Sequence, residues 1–513
     1  MLHFIFEPAQ LALEELILYV CLMSAFRPRL IGVKAARGVA WLMVETVLGR
    51  GVSLISQLVL AKLLMPEDFG ILGLATTISS VFGLLLNCGV DQVLQQRPTK
   101  KRRYWATQTF WISLLVATLT AVVMALYAPF GAKLYGNEKI AGLVWVLALG
   151  FPFQALVTVP QVNLQAQLKF KFLASYNTAE AFMAQALTVL LAWLGLGALS
   201  FVIPISVLAA VRSLVFWRLA PIPLLPWRKA KGWVKMGVRS ATILGGEISL
   251  TLIEQGDYIT LGLLAPLNVV GAYFFAFKLA VQPMSLLARN FRNVLFPVLV
   301  ALDGEPQRQR DVAFRASSFL GLLTTPLCLA MAAIAEPLLT VLFGDRWSAS
   351  IPYVQILSLG LALDALAWPA GWLLGVRGLF FRTTVYLAIS AVFFFILVGT
   401  GGLLGSARGV AIAVAIYYVI HSTTFTFLVF MQEGIGARQI ILSFAVPYLL
   451  SILSLGPAHL LSRAPVLQGH YVAQMAVTLS LGGLIYVGSL RLFLPDFYQD
   501  TMSRLRGMLQ RKL

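Results

Sequence analysis

The sequence predicts an all-α polytopic membrane protein with about 14 transmembrane helices, and three observations support this fold class. Of the 513 residues, 59% are hydrophobic and only 12% are charged, whereas soluble domains carry about 25% charged residues. Apolar stretches of about 20 residues, enough to cross the hydrocarbon core as helix, recur from residue 39 onward. Basic residues concentrate in alternate loops. A large soluble all-α protein is excluded, because most of its outer helices would need a polar face.

Proline, glycine and clusters of charge divide the chain into segments. The fourteen candidate spans lie near residues 39–64, 70–96, 105–130, 140–162, 173–194, 198–219, 241–264, 270–299, 312–334, 350–376, 383–400, 407–431, 440–461 and 471–493. We group them as a six-helix lobe at 39–220, a basic cytoplasmic linker at 221–240, a second six-helix lobe at 241–435 and two further helices at 436–495. A basic cytoplasmic tail follows at 496–513.

The N-terminal segment, residues 1–38, has two interpretations. Its apolar run is short and contains Glu14 and Glu15, so it lacks the basic start and the cleavage site of a signal peptide and fits a cytoplasmic or interfacial helix. Alternatively, the gene start is over-extended and translation begins at Met23, just before Arg27 and Arg29.

The lysines and arginines test the division into spans independently. With a cytoplasmic N-terminus, 28 of the 39 basic residues fall in inside loops, six in outside loops and five within spans. A miscounted span would exchange every later loop and remove this bias, which follows the positive-inside rule. We therefore expect a multi-pass membrane protein with both termini in the cytoplasm.

The net charge of +18 does not indicate a nucleic-acid partner, because the basic residues lie in short loops between spans. The linker sequence "WRKAKGWVKMGVRS", residues 227–240, is instead expected to lie on anionic membrane lipids as a short amphipathic helix.

The segment "LAKLLMPEDFGILGLATTI", residues 60–78, places two neighbouring acids between apolar runs. We expect Pro66 to end the first helix, and Glu67 and Asp68 to lie at the N-terminus of the second, where negative charge favours the helix dipole. A similar pattern of Leu-Leu-x-Pro, a glycine and an alanine-rich run recurs at 260–280. An internal duplication that relates two parallel halves is one explanation, and convergent turn chemistry is the other.

These segments resemble the oligosaccharide or polysaccharide flippase family, in the superfamily that also contains multidrug-and-toxin extruders and the peptidoglycan lipid flippase. The resemblance rests on "GRGVSLISQLVLAKLLMPEDFGILGLA", with its arginine and its Leu-x-Pro-x-x-Phe-Gly turn, and on "LLLNCGVDQVLQQR". The second motif departs from the family at Asn87, where an acid is usual, and Asp91 offers a carboxylate one turn later. The resemblance implies that the two six-helix lobes take a MATE-like arrangement.

The resemblance also implies a function. Such a protein moves undecaprenyl-pyrophosphate-linked oligosaccharide repeat units across the cytoplasmic membrane by alternating access, for O-antigen or exopolysaccharide biosynthesis. Its partners would be the lipid-linked oligosaccharide, anionic lipids, and the polysaccharide polymerase and glycosyltransferases of the pathway. No cofactor is expected, and a coupling H⁺ or Na⁺ stays open.

Ionisable residues inside the spans are candidate site residues, because charge in hydrocarbon is costly. Lys278, Arg289 and Arg292 share one face of the eighth span, at about 100° per residue. With Arg50 of the first span they are candidates for binding pyrophosphate and glycan, since the arginine fork suits phosphate. In the seventh span Glu247, Glu254 and Asp257 share a face. With Asp91 they are candidates for ion coupling or for pairing with the basic residues.

The alternative for both sets is a group of static buried pairs, or side chains that reach the leaflet edge. The weaker candidates are Glu45, Asp91, Glu180, Arg212 and Asp364, because each is isolated in the sequence or near the end of a span.

An enzyme is not expected. The histidines and cysteines have no metal-ligand spacing, no glycine-rich phosphate loop followed by Lys-Ser/Thr occurs, and we predict neither a metal site nor catalytic residues. Two rivals remain: a cation-coupled drug-type exporter, and a polytopic polymerase or glycosyltransferase of the same pathway. The short outside loops argue against the enzyme, and the basic stripe argues against cationic drugs.

Overall fold

The computed structural model describes residues 56–86, 102–166, 169–221 and 233–495 of the chain. For residues 102–105, 165–166, 170–171, 174, 233–244, 286, 288–290 and 293–294 it describes the backbone alone. Across these ranges the fold is all-helical, without a β-strand, which confirms the predicted class.

Fourteen α-helices and two short 3₁₀-helices account for most of the described residues. The described part of α1 is 56–63, and it is followed by α2 Pro66–Gly83, α3 Arg102–Leu134, α4 Lys139–Ala166, α5 Phe170–Trp193, α6 Leu199–Leu219, α7 Trp233–Leu264, α8 Leu267–Ala301, α9 Pro306–Phe343, α10 Ile351–Leu361, α11 Asp364–Val376, α12 Phe380–Gln432, α13 Ala437–Ser462 and α14 Tyr471–Phe493. The 3₁₀-helices are Gly344–Ser350 and Pro465–Leu467.

The turn between α1 and α2 has the predicted chemistry. α2 begins at Pro66, whose fixed φ suits a first helical position, and Glu67 and Asp68 lie in its first turn. The backbone N–H of Met65 donates to Asp68 Oδ2 over 3.1 Å, which satisfies one of the N–H groups that a helix start leaves without a partner.

Two predicted spans are wrong in detail. The span at 70–96 does not continue as one helix, because α2 ends at Gly83 and residues 84–86 form a turn. The span at 350–376 is broken between α10 and α11. There the Thr325 hydroxyl donates to the carbonyl oxygen of Ala362 over 3.0 Å, and this bond satisfies an acceptor that the break leaves open.

The break predicted between 400 and 407 is present within α12. Ser406 has φ 53° and ψ −140°, a conformation that is rare outside glycine, and helix continues on both sides of it.

Eight helical runs among the described residues are long and apolar enough to cross a membrane. Two of them, Pro306–Leu361 and Phe380–Gln432, contain 56 and 53 residues, and about 20 suffice for one crossing. The chain is therefore an integral membrane protein. α5 and α7, which carry ionisable residues in their interiors, are not among the eight runs, and the total of 14 crossings stays a prediction.

Two compact units divide the described residues. The first unit contains the described residues from 56 to 275 and those at 380–410, and the second contains 276–379 and 411–495. The predicted lobes, in contrast, are separated by the linker 221–240. The second predicted lobe therefore includes α7, the start of α8 and the first part of α12, whereas the structure groups these three segments with the first unit. α8 and α12 each contribute residues to both units.

Close backbone contacts hold the first unit together. A Cβ added at Gly70 would lie 2.1 Å from the carbonyl oxygen of Leu267, and one at Gly271 would lie 1.7 Å from that of Pro66. The two similar turns of the sequence thus cross each other at a pair of glycines. A Cβ at Gly256 would likewise meet the ring of Phe394 at 2.8 Å, and this contact packs residues 380–410 against α7.

Hydrogen bonds at helix ends hold part of the second unit. Arg377, just after α11, forms an ion pair with Glu433, just after α12. The same guanidinium donates to Gln309 Oε1 over 3.3 Å and to the Pro306 carbonyl over 2.9 Å, both on α9. Arg310 donates to the Glu433 carbonyl over 2.9 Å. The ends of three helices are therefore tied together on the side predicted to face the cytoplasm.

Candidate functional site

The predicted basic face lies on α8, in its second-unit part. Lys278 and Arg292 are both exposed, and the Arg292 guanidinium carbon lies 6.0 Å from the centre of the Phe296 ring. Arg289 lies on the same helix, with its side chain outside the described atoms. At 1.5 Å per residue, Lys278 and Arg292 are about 21 Å apart along the axis. Lys278 and Arg292 are too far apart to bind one pyrophosphate together. The spacing of Lys278, Arg289 and Arg292 fits a row of positive charges along α8, the basic ladder, better than a single site.

The three predicted acids of α7 lie in different environments of the first unit. Glu254 is exposed, Glu247 is half-buried and Asp257 is buried. Asp257 Oδ2 accepts from the Tyr273 hydroxyl over 2.8 Å, and its Oδ1 accepts from the backbone N–H of Tyr258 over 2.9 Å. The Asp257 carboxylate thus links α7 to the start of α8. The roles of these acids in ion coupling stay a prediction, as do those of Arg50 and Asp91, which lie outside the described residues.

A polar cluster in the first unit was missed by the sequence analysis. Arg212 of α6 and Glu180 of α5, which are isolated in the sequence, form an ion pair with 2.8 Å between Nη1 and Oε2. Arg212 Nη2 also donates to Gln161 Oε1 of α4 over 3.2 Å and to Asn177 Oδ1 of α5 over 3.3 Å. The signal available in the sequence was two opposite charges at similar depth in consecutive spans.

Aromatic rings support the arginine of this cluster. The Arg212 guanidinium carbon lies 5.0 Å from the centre of the Phe216 ring and 5.8 Å from that of Tyr176. These two rings meet edge to face, with centres 5.0 Å apart, and Phe216 is completely buried. The charged group therefore rests on a rigid apolar base, and cation–π attraction adds to its ion pair.

Asp364 is a second ionisable residue that the sequence left isolated. It is the first residue of α11, in the second unit, and is buried. Its Oδ1 accepts from the Ser422 hydroxyl over 2.9 Å, and its Oδ2 accepts from the Trp368 indole N–H over 3.0 Å. Neutral donors satisfy this carboxylate, and none of the ion pairs among the described residues includes it.

An open apolar groove of about 720 Å³ lies in the second unit, between α12 and α13. Its walls include Phe427 and Leu428 of α12, and Ile441, Phe444 and Leu449 of α13. Such a surface suits hydrocarbon, because it offers few groups that could bind water or a charged ligand.

These features define an all-helical integral membrane protein that keeps charged and amide side chains within its helices, an arrangement typical of a transport protein. Ligand pathways in membranes need such groups, whereas lipid contact penalises them. The chain belongs to the family described as polysaccharide biosynthesis protein, which matches residues 59–352. The resemblance found in the sequence is thereby confirmed.

Curated proteins with similar sequences come from several bacteria. The lipopolysaccharide biosynthesis protein WzxC of Escherichia coli (strain K12) is 24% identical over 430 residues, which cover 82% of this chain and 86% of that protein. The teichuronic acid biosynthesis protein TuaB of Bacillus subtilis (strain 168) is 21% identical and covers 82% of this chain and 87% of its own. The succinoglycan biosynthesis transport protein ExoT of Rhizobium meliloti (strain 1021) is 25% identical over 63% of this chain and 65% of that protein.

Two solved structures share the fold. The lipid II flippase MurJ in an inward closed conformation superposes with a TM-score of 0.70 at 13% identity and covers 89% of this chain and 99% of that chain. A multidrug resistance MATE family transporter in an inward-facing conformation superposes with a TM-score of 0.59 at 15% identity, over 82% of this chain and 98% of its own. At these identities the likeness concerns the fold, and it agrees with the expected MATE-like arrangement.

Proposed function

We propose that this protein is a flippase that moves lipid-linked oligosaccharide units across the cytoplasmic membrane by alternating access. The observation that carries the proposal is the sequence similarity, over 82% of the chain, to a lipopolysaccharide biosynthesis protein of the same size class. The fold shared with a lipid II flippase supports it. In this role the protein is a transporter, not an enzyme, and its product feeds O-antigen or exopolysaccharide assembly by the polymerase and glycosyltransferases of the pathway.

The proposed topology has 14 crossings in the inner membrane, with both termini in the cytoplasm. Each predicted span overlaps a described helix, and each of the two longest apolar runs has enough residues for two crossings. The distribution of basic residues supports the orientation.

In this proposal, polar residues bind the charged part of the substrate and an apolar groove binds part of its lipid chain. The basic ladder of Lys278, Arg289 and Arg292, with Arg50, attracts the pyrophosphate. Glu247, Glu254, Asp257 and Asp91 serve H⁺ or Na⁺ coupling or hold the basic residues in position. The apolar groove between α12 and α13 is of a size and character that suits part of a polyprenyl chain.

Transport by reconstituted protein tests the proposal. Proteoliposomes that contain a labelled lipid-linked oligosaccharide in one leaflet should expose it in the other, faster with a pH or Na⁺ gradient. The Arg289→Gln/Arg292→Gln variant should lower the rate at least tenfold with normal membrane abundance, because both changes remove positive charge that faces a polyanion. Arg438→Gln is the matched control, since it removes an exposed arginine from the start of α13.

Two results would contradict the proposal. Wild-type transport by the double variant would remove this arginine pair from the mechanism. Chemical turnover of the lipid-linked sugar by purified protein in detergent, where no second compartment exists, would show an enzyme instead.

A further inference from the structure

The cluster around Arg212 is well placed for a ligand that enters from the cytoplasmic side. Arg212 lies seven residues before the end of α6, Asn177 seven residues after the start of α5, and Gln161 five residues before the end of α4. At 1.5 Å per residue these side chains lie about 8–10 Å from helix ends. All three ends belong to loops that the positive-inside rule assigns to the cytoplasm. The cluster thus places polar side chains inside the predicted spans of the first unit, about 8–10 Å from the cytoplasmic helix ends.

The cluster is accessible in part. Arg212 keeps 24% of its side-chain exposure and Glu180 keeps 18%, and Asn177 and Gln161 are also half-buried. A charged pair turned toward acyl chains would be costly, even when neutralised. Polar residues from three consecutive helices converge on this level, which is the arrangement expected of a wall that faces water or a polar ligand.

The hydrogen-bond pattern leaves defined groups for a ligand. Because a guanidinium only donates, Gln161 and Asn177 must turn their carbonyl oxygens toward Arg212, and their amide N–H groups then point away from it. Among the described residues neither amide nitrogen has a hydrogen-bond acceptor. Glu180 engages Arg212 through Oε2, which leaves Oε1 as an acceptor. The Tyr176 hydroxyl and Arg212 Nε are buried without a partner among the described residues, so they are not among the groups open to a ligand.

The charge of the cluster selects between ligand classes. Glu180 neutralises Arg212, so the cluster offers no net positive charge to a pyrophosphate. Amide donors, a carboxylate acceptor and aromatic rings suit uncharged hydroxyl groups, which both donate and accept. The aromatic base formed by Tyr176 and Phe216 holds these groups in position, as a specific site requires.

We infer that Gln161, Asn177 and Glu180, oriented by Arg212, form a glycan-binding subsite that recognises the hydroxyl groups of an uncharged sugar in the transported oligosaccharide. This inference rests on the proposed function and adds to it. All residues of the subsite belong to the first unit. Arg212 and Tyr176 are positioning residues.

Binding to protein in nanodiscs tests the subsite with two probes: the lipid-linked oligosaccharide isolated from cells that lack this transporter, and the same lipid pyrophosphate without its sugar. The Gln161→Met/Asn177→Leu variant removes both amides and retains the ion pair. We expect it to bind the oligosaccharide at least tenfold more weakly, since two hydrogen bonds are lost, and to bind the sugar-free lipid within twofold of wild type. Gln185→Met is the matched control, because Gln185 is a half-buried amide on the same helix α5.

The outcomes are distinct. Equal weakening for both probes would show a pyrophosphate site or a general structural role, and unchanged binding of both would show a purely structural cluster; either result overturns the subsite. If the double variant does not reach the membrane, the two single variants replace it, each with an expected loss of about threefold or more. Wild-type protein that binds neither probe would overturn the proposed function itself. If the wild-type protein binds the oligosaccharide and the variants bind it equally well, only the subsite is overturned.

Discussion

Each of the two compact units contains an acid inside a predicted membrane span, and the two acids find hydrogen-bond partners of different kinds. In the first unit Glu180 faces the full positive charge of Arg212, and the pair remains partly exposed. In the second unit Asp364 is buried, and it accepts hydrogen bonds from Ser422 and Trp368, which are neutral. Because the ion pair of Glu180 and Arg212 is partly exposed, its groups can form hydrogen bonds with a ligand. The buried carboxylate of Asp364, whose donors are neutral, instead connects helices.

This difference assigns the two acids different tasks. Asp364 connects the start of α11 with α12 through Ser422, next to the break that Thr325 stabilises. Its hydrogen bonds fix a discontinuous span. The Arg212 cluster connects α4, α5 and α6 while it keeps amide and carboxylate groups available. The following variants test whether the distinction holds.

The largest effect should come from Arg212→Met. It leaves Glu180 uncompensated, and breaking a buried ion pair costs about 3–5 kcal/mol. Because the pair is partly exposed, we expect the unfolding free energy to fall by about 3 kcal/mol, measured by SDS titration in mixed micelles. The double variant Arg212→Met/Glu180→Leu should recover most of this loss, since no isolated charge remains. A loss below about 1 kcal/mol for the single variant would show that the pair is solvated and contributes as little as a surface ion pair.

A smaller loss is expected for Ser422→Ala. This variant removes one of the two donors to the buried Asp364 carboxylate, and a hydrogen bond to a charged group contributes about 1.5–3 kcal/mol. We expect a loss of about 2 kcal/mol in the same titration. Ser480→Ala is the control, because Ser480 is exposed and donates to the backbone of its own helix, and it should change stability by less than about 0.5 kcal/mol. Equal losses of unfolding free energy for the Ser422 and Ser480 variants would show that the hydrogen bond from Ser422 to Asp364 does not stabilise the start of α11.

The smallest of the three effects is expected for Asp364→Asn. The substitution keeps the shape and one acceptor but turns an amide N–H toward a donor, which costs about 1 kcal/mol, while removal of a buried charge offsets part of the loss. A greater loss for Asp364→Asn than for Ser422→Ala would show that the charge itself is needed. The contrast with Glu180 would then have to be abandoned.

The sequence predicted the class, the approximate positions of most helices and the break near Ser406, because apolar length, proline and glycine act locally. It also predicted the acidic start of α2 from three adjacent residues. The early end of α2 and the break between α10 and α11 were not predicted. At the break, Thr325 of another helix satisfies the free carbonyl oxygen of Ala362, and such a long-range contact cannot be seen in the local sequence.

The candidate site was predictable only in part. One face of α8 followed from helical periodicity, and Lys278 and Arg292 are exposed on this helix. Their role in binding stays a prediction. The Arg212 cluster was missed, because its members are separated by up to 51 residues along the chain and meet only when α4, α5 and α6 pack. Comparing the depth of opposite charges in consecutive spans would have indicated the pair.

The crossing of Gly70 and Gly271 has a consequence for related sequences. Neither residue contributes a side chain, yet α2 and α8 touch through their backbones at this point, and Gly73 beside it receives the Phe274 ring, 2.9 Å from where a Cβ would lie. An alanine at position 271 would force the two helices apart and withdraw Phe69 from the Phe275 ring that it now meets at 5.7 Å. The short distance between α2 and α8 here depends on the absence of a side chain at both Gly70 and Gly271.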